Sequence, residues 1–183
     1  MCLIFSLKDN NSGINWQYFL ILMDNIIIKE VKDFDLDFIL KIKKLEIENL
    51  GRFSGINEWL IPVIIKYGKL IIAVQKVDLA GKKGKELIIG VNELIRSWEN
   101  ENIAFIHSFY IKKGYRDKGS GSLLLEKSIE ILKKQGIKKI ELTVDPQNFT
   151  AISLYKKFGF INSGFKEDMY GKGIGRNIMV CDI

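Results

Sequence analysis

Tyr115–Ser122 reads YRDKGSGS and runs directly into LLLEKSIEILKKQG. Two glycines, Gly119 and Gly121, open a stretch with helical apolar spacing, and Arg116 and Lys118 lie just upstream. A helix N-terminus exposes unpaired N–H groups and a partial positive charge, so it attracts anions. Glycine there lets a ligand reach the backbone with no Cβ in the way. Two phosphate-binding patterns fail: Leu124 stands where the third glycine of G-x-G-x-x-G belongs, and no Gly-Lys-Ser/Thr follows. On spacing alone the stretch is either an anion cradle or a tight strand-to-helix turn.

On both sides of the glycine turn, strand and helix patterns alternate. Ile26–Val31 is a β-branched run, and Asp33–Leu50 carries Phe34, Phe38, Ile42 and Leu45 at a helical period with Gly51 as the stop. A second helix is expected within RFSGINEWLIPVIIKYGK, bent or started at Pro62, because proline cannot donate the interior bond. Lys69–Val77 and Leu87–Trp98 read as strands joined by the turn-rich LAGKKGKE, and Ile103–Ile111 reads as a third. After the glycine helix, which reaches about Gln135, come a strand at Lys139–Val144, a short helix at Asn148–Phe158 and two closing strands within Phe160–Ile183. The expectation is one α/β domain over residues 26–183 with a mixed sheet.

Residues 1–25 hold two apolar bursts, CLIF and FLILM, around LKDNNSGINWQ. Neither approaches the roughly 20 apolar residues of a membrane span, and neither a positive leader nor a small-residue cleavage site accompanies them. They read as an N-terminal extension, an edge strand or hairpin. With 183 residues, 47% of them hydrophobic, the chain can bury a sizeable core. Cys2 and Cys181 sit near opposite ends and form no metal-ligand cluster, and a reducing, cytoplasmic setting without a disulfide framework is expected. The net charge of +6 permits a phosphate-rich ligand. The lysines are scattered rather than gathered into a stripe, which argues against nucleic acid as a partner.

Two motifs in sequence order point to a family. Arg116-x-x-Gly119-x-Gly121, between an apolar strand and an amphipathic helix, resembles the acetyl-CoA signature Arg/Gln-x-x-Gly-x-Gly/Ala of the GNAT-superfamily N-acetyltransferases. Asn148-x-x-Ala151-x-x-Leu154-Tyr155-x-x-x-Gly159-Phe160 resembles that family's second hallmark. The resemblance is specific from Ile103 to Phe160 and runs in element order from Ile26 to Ile183.

The resemblance implies two parallel strands, here Ile103–Ile111 and Lys139–Val144, that splay so the pantetheine arm of acetyl-CoA can lie between them. Backbone groups of Phe109 and Ile111 would bond that arm. The diphosphate would rest on the amides of Lys118, Gly119, Ser120, Gly121 and Ser122, with Arg116 adding charge. Tyr155 matches the family tyrosine that protonates the departing thiolate; a phenol near pKa 10 and a thiol near about 8.5 are close enough for that transfer. Asn148 matches a position that holds pantetheine or caps the helix, and the two roles are compatible.

The base is where the chain departs from many members of the family, which carry a glutamate on the central strand. Ile103–Ile111 has none. Its one group titrating near neutrality is His107, the sole histidine, which by strand alternation shares a face with Phe105, Phe109 and Ile111. Glu58, in the helical region where family members build the acceptor site, is the other candidate for a base or an amine-binding group. Tyr170–Arg176 (YGKGIGR) also looks phosphate-friendly, but no helix follows, so it reads as a hairpin loop. The implied activity is acetyl transfer to a primary amine of a small molecule or peptide, with no metal. The alternative is an acyl-CoA-binding sensor or interaction module without turnover. A homodimer stays open.

Overall fold

A computed structural model describes residues 25–51, 58–79 and 82–183. The N-terminal extension expected over residues 1–25 falls almost wholly outside the described residues.

Seven strands form one sheet: β1 (Ile26–Val31), β2 (Lys69–Leu79), β3 (Lys82–Arg96), β4 (Ile103–Ile111), β5 (Lys139–Val144), β6 (Ile161–Lys166) and β7 (Arg176–Asp182). Their spatial order is β1-β2-β3-β4-β5-β7-β6. Neighbours pair antiparallel except β4 and β5, which are parallel. A parallel pair needs a crossover, supplied by the glycine-led helix. The four helices among the described residues are α1 (Leu36–Leu50), α2 (Leu60–Tyr67), α3 (Ser120–Lys134) and α4 (Phe149–Lys157).

The helices cover both faces of the sheet and make two cores. Ile39, Ile42 and Leu45 of α1 and Ile61, Ile64 and Ile65 of α2 pack on Leu70, Ile72, Val74 and Val91. On the other face Leu124, Leu125 and Leu132 of α3 and Tyr155 of α4 pack with Ile71, Ala73, Ile140, Leu142, Phe160 and Met179. Removing about one buried leucine's worth of such contact typically costs 2–5 kcal/mol.

Local signals explain most boundaries. Asp35 caps α1 by accepting from Phe38 N at 2.8 Å, so the helix starts later than Asp33 and leaves Phe34 exposed. Pro62 lies in the first turn of α2, where its missing N–H costs nothing. β2 and β3 are longer than the apolar runs suggest: Val77 pairs with Lys85 and Leu79 with Lys82 inside the stretch read as a loop. A ladder is a backbone bond pattern, so polar residues can continue it. β3 ends at Arg96, and Trp98, read as strand, is in solvent.

Bulges decide which side chains reach which core. Between β3 and β4 the register passes from Glu93↔Ser108 to Leu94↔Ile106, leaving His107 as the extra residue. Before it Ala104 and Ile106 face α3; after it Phe109 and Ile111 do, while Tyr110 belongs to the α1–α2 core. Phe105 pairs with Ile95, which packs on the α1–α2 side. The expected common face of Phe105, His107, Phe109 and Ile111 is therefore corrected: the bulge puts Phe105 on one side and Phe109 and Ile111 on the other.

Candidate active site

The β4–β5 ladder runs from Ile103↔Lys139 to Ile106↔Leu142 and stops, although β4 continues to Ile111 and β5 to Val144. The strands fork at the His107 bulge. Lys112 N donates to Ile89 O at 2.8 Å, so alternation turns the bonding groups of Tyr110 toward β3 and those of Phe109 and Ile111 toward the fork. Edge groups there can accept an extended ligand as a missing strand.

The helix behind the fork begins in glycine for a steric reason. Gly119, the N-cap of α3, has φ 78°, in the left-handed region that costs other residues energy. The first helical bond is Leu123 N to Gly119 O at 3.0 Å, so the amides of Ser120, Gly121 and Ser122 have no partner inside the helix. A Cβ on Gly121 would stand 3.5 Å from Ile111 Cγ1, 3.6 Å from Leu154 Cδ2 and 4.0 Å from Phe109 Cε1, at the floor of the fork. The residues present therefore fit a ligand with an extended amide arm and an anionic end.

The cations of the loop are held from behind. Arg116 Nε donates to Ile111 O at 2.9 Å, and its Nη2 lies 3.5 Å from Asn49 O and Oδ1. One edge carbonyl expected to be open to a ligand thus already has a partner, and the guanidinium braces the loop as well as adding charge. Lys118 Nζ donates to Gly114 O at 2.8 Å and sits over the Tyr115 ring. Asn49, which also accepts from Lys113 N at 2.9 Å, ties α1 to this loop. The sequence shows no sign of that role, because an asparagine in a helix's last turn is unremarkable.

Tyr155 reaches the fork from the α3–α4 face. Its ring meets Phe109 edge-on at 6.1 Å and tilts against Phe160 at 5.5 Å. Burial pushes its phenol well above the ordinary range, so it stays protonated in the free protein, and its distance from a thiol near about 8.5 is wider than the ordinary phenol value implies. Asn148 caps α4, its Oδ1 accepting from Ala151 N at 3.1 Å.

His107 stands at the fork from the α1–α2 side. Its Nδ1 is 3.3 Å from Glu93 Oε2, and the Glu93 side chain is 0% exposed while that of His107 is 33% exposed. Hydrogen bonding to Glu93 raises the imidazole pKa against the opposing effect of burial. Burial raises the Glu93 carboxyl, offset in part by the same bond. The sequence marks Glu93 only as a carboxylate inside the strand run LIIGVNELI. Glu58 lies in the turn before α2, ion-paired with Lys43. That hydrogen bond holds its carboxyl below the usual range, a poor setting for a base.

The hairpin loop between β6 and β7 folds back on β5: Tyr170 OH and Thr143 Oγ1 are 2.9 Å apart, and Arg176 lies over the Tyr170 ring. No group of three or more candidate metal ligands occurs among the described residues, and no described helix is long and apolar enough to cross a membrane.

Comparison with known proteins agrees with this geometry. The chain is 38% identical over 66 residues to an uncharacterized N-acetyltransferase of Methanocaldococcus jannaschii, a match spanning 36% of this chain and 29% of that protein. It is 32% identical over 73 residues to a putative [ribosomal protein bS18]-alanine N-acetyltransferase of Bacillus subtilis, spanning 40% and 48%. It is 33% identical over 63 residues to a bovine (Bos taurus) thialysine N-epsilon-acetyltransferase, spanning 34% and 36%. The matched segments thus span less than half the length of these relatives. The fold resembles the Escherichia coli ribosomal-protein-S18-alanine N-acetyltransferase, with a TM-score of 0.65 at 18% identity over 86% of this chain and 94% of that one. It also resembles a chain in the NatC complex bound to Gag peptide and CoA, with a TM-score of 0.72 at 18% identity over 87% and 99%. Residues 58–160, from the turn before α2 through the end of the Tyr155 motif, match the acetyltransferase (GNAT) family model, and the chain belongs to that family.

Proposed function

We propose that the chain transfers an acetyl group from acetyl-CoA to a primary amine of a small molecule or peptide. The observation that carries this reading is the fork at Ile106/Leu142, with unpartnered α3 amides behind it, His107 on one face and Tyr155 on the other. Relatives named for a ribosomal-protein alanine and for thialysine support an amine acceptor.

Acetyl-CoA supplies an activated thioester when bound. The Phe109 edge and the Ser120–Ser122 amides would hold it, orienting the arm as an added strand and the diphosphate on the helix end. The proton balance is then carried by the chain. An attacking amine gives up one proton, which His107 can take at Nε2. A departing thiolate needs one, which the Tyr155 hydroxyl can give. Tyr155 and His107 lie on opposite faces of the sheet, so an acetyl group held in the fork would lie between them. His107 is the better base of the two candidates, because Glu58 is engaged by Lys43.

The test is thiol release from acetyl-CoA across a panel of amines, including peptide N-termini and lysine analogues, beside thermal shift by acetyl-CoA. Release that depends on an amine supports transfer. Tight acetyl-CoA binding with no release on any amine would favour a sensor.

A further inference from the structure

We propose that Glu93 is the positioning residue for His107, holding Nδ1–H so that Nε2 is the nitrogen that receives the acceptor's proton. The proposal rests on the reading of His107 as the base.

The geometry has three parts. His107 is the extra residue of the bulge, and the paired ladder of β4 and β5 ends one residue before it, so its imidazole stands where the strands part. Glu93, on the neighbouring strand, is wholly buried and has one oxygen, Oε2, at Nδ1. Its other oxygen, Oε1, has no hydrogen-bond partner. A buried carboxylate with so little satisfaction is costly, and the one side-chain group that offsets the cost is the His107 imidazole. The imidazole is one-third exposed and the carboxylate not at all, so the ring reaches solvent where Glu93 does not. A carboxylate on Nδ1 selects the tautomer with its lone pair on Nε2.

The surroundings keep the pair distinct. From α1, Glu46 is buried and accepts from Ser108 Oγ at 3.2 Å, adding a weaker negative field to the imidazole. From β4, the buried Tyr110 phenol is pushed far up, first by burial and then by Glu46 and Glu93, and stays neutral. From β5, Glu141 lies level with Phe105, nearer the closed end of the fork than His107. The same bulge therefore does two jobs. It re-aims Phe109 and Ile111 toward the Tyr155 side, and it brings the one histidine against the one buried carboxylate of β3 among the described residues.

The chain contains a single histidine, so imidazole NMR in tag-free protein reports His107 alone. In wild type the imidazole should titrate above its ordinary value near about 6.5. Glu93→Gln should lower that pKa, and Glu93→Asp, which keeps the charge, should restore part of the rise. In turnover, Glu93→Gln should move the acidic limb of kcat to lower pH and reduce plateau kcat by about tenfold or more, with acetyl-CoA affinity unchanged. An imidazole pKa unmoved in a folded Glu93→Gln protein overturns the pairing. An imidazole pKa that falls while the kcat limb stays put overturns the catalytic reading and leaves the pair structural. Should Glu93→Gln not fold, the same two readouts on Glu93→Asp, which must then fall between wild type and a flat response, decide the matter.

Discussion

Phe109 and Tyr155 meet edge-to-face, centroids 6.1 Å apart, although one sits on the free edge of β4 and the other on a helix 40-odd residues later in the chain. That contact fixes the phenol beside the strand edge expected to hold acetyl-CoA. Tyr155→Phe keeps the ring and its packing and removes only the proton donor. We expect kcat to fall by about tenfold to several thousandfold, lost acid catalysis usually being worth roughly 10²–10⁴. Acetyl-CoA affinity should change little. Steady-state turnover beside a binding titration checks both, and full activity in the variant would remove Tyr155 as the acid.

Substitutions at Gly121 should separate folding from binding. Its Cβ would meet Ile111 and Leu154 at ordinary contact distances, so Gly121→Ala should fold normally. Gly121→Val adds two methyl groups over the floor of the fork and should weaken acetyl-CoA binding more than tenfold. Calorimetry on both variants tests this; unchanged affinity in folded Gly121→Val places the cofactor elsewhere.

The α3 turn lacks the third glycine of a dinucleotide site and the lysine of a P-loop. CoA and acetyl-CoA should therefore raise the melting temperature, and NAD and ATP should do so much less, because binding to the native state alone stabilises it. A larger shift with NAD than with CoA contradicts the proposed site.

Gly68 is required by a close approach, not by its backbone angle. A Cβ there would lie 2.3 Å from Leu94 O and 3.1 Å from Ile64 O, both backbone atoms, while its φ is −116°. Neither carbonyl can swing aside, so Gly68→Ala should cost about 1–3 kcal/mol or more. Urea unfolding measures it; an unchanged midpoint would mean that α2 shifts freely on β3.

Stability should depend on pH through His107. The Glu93 hydrogen bond raises its folded pKa, so its contribution is full below the unfolded value near about 6.5 and is lost as pH rises through the folded value. Unfolding free energy should fall across that window in wild type and stay flatter in Glu93→Gln. A wild-type curve with no slope there would deny the pair any energetic weight.

The sequence by itself determined the order of elements, the glycine-led turn and the two family motifs, because each depends on residues close together in the chain: spacing of apolar residues, caps and glycine stops. It could not show that β7 inserts between β5 and β6, since strand order depends on contacts among segments far apart in the chain. Nor could it show the bulge at His107. Alternation in Ile103–Ile111 looks unbroken until β3 is laid beside it in register, and only then does one residue become extra. The base candidate was therefore visible in the sequence, whereas its carboxylate partner was not. Glu93 is 14 positions from His107 and meets it because an antiparallel register brings the two strands together. Asn49, 67 positions from Arg116, was hidden for the same reason.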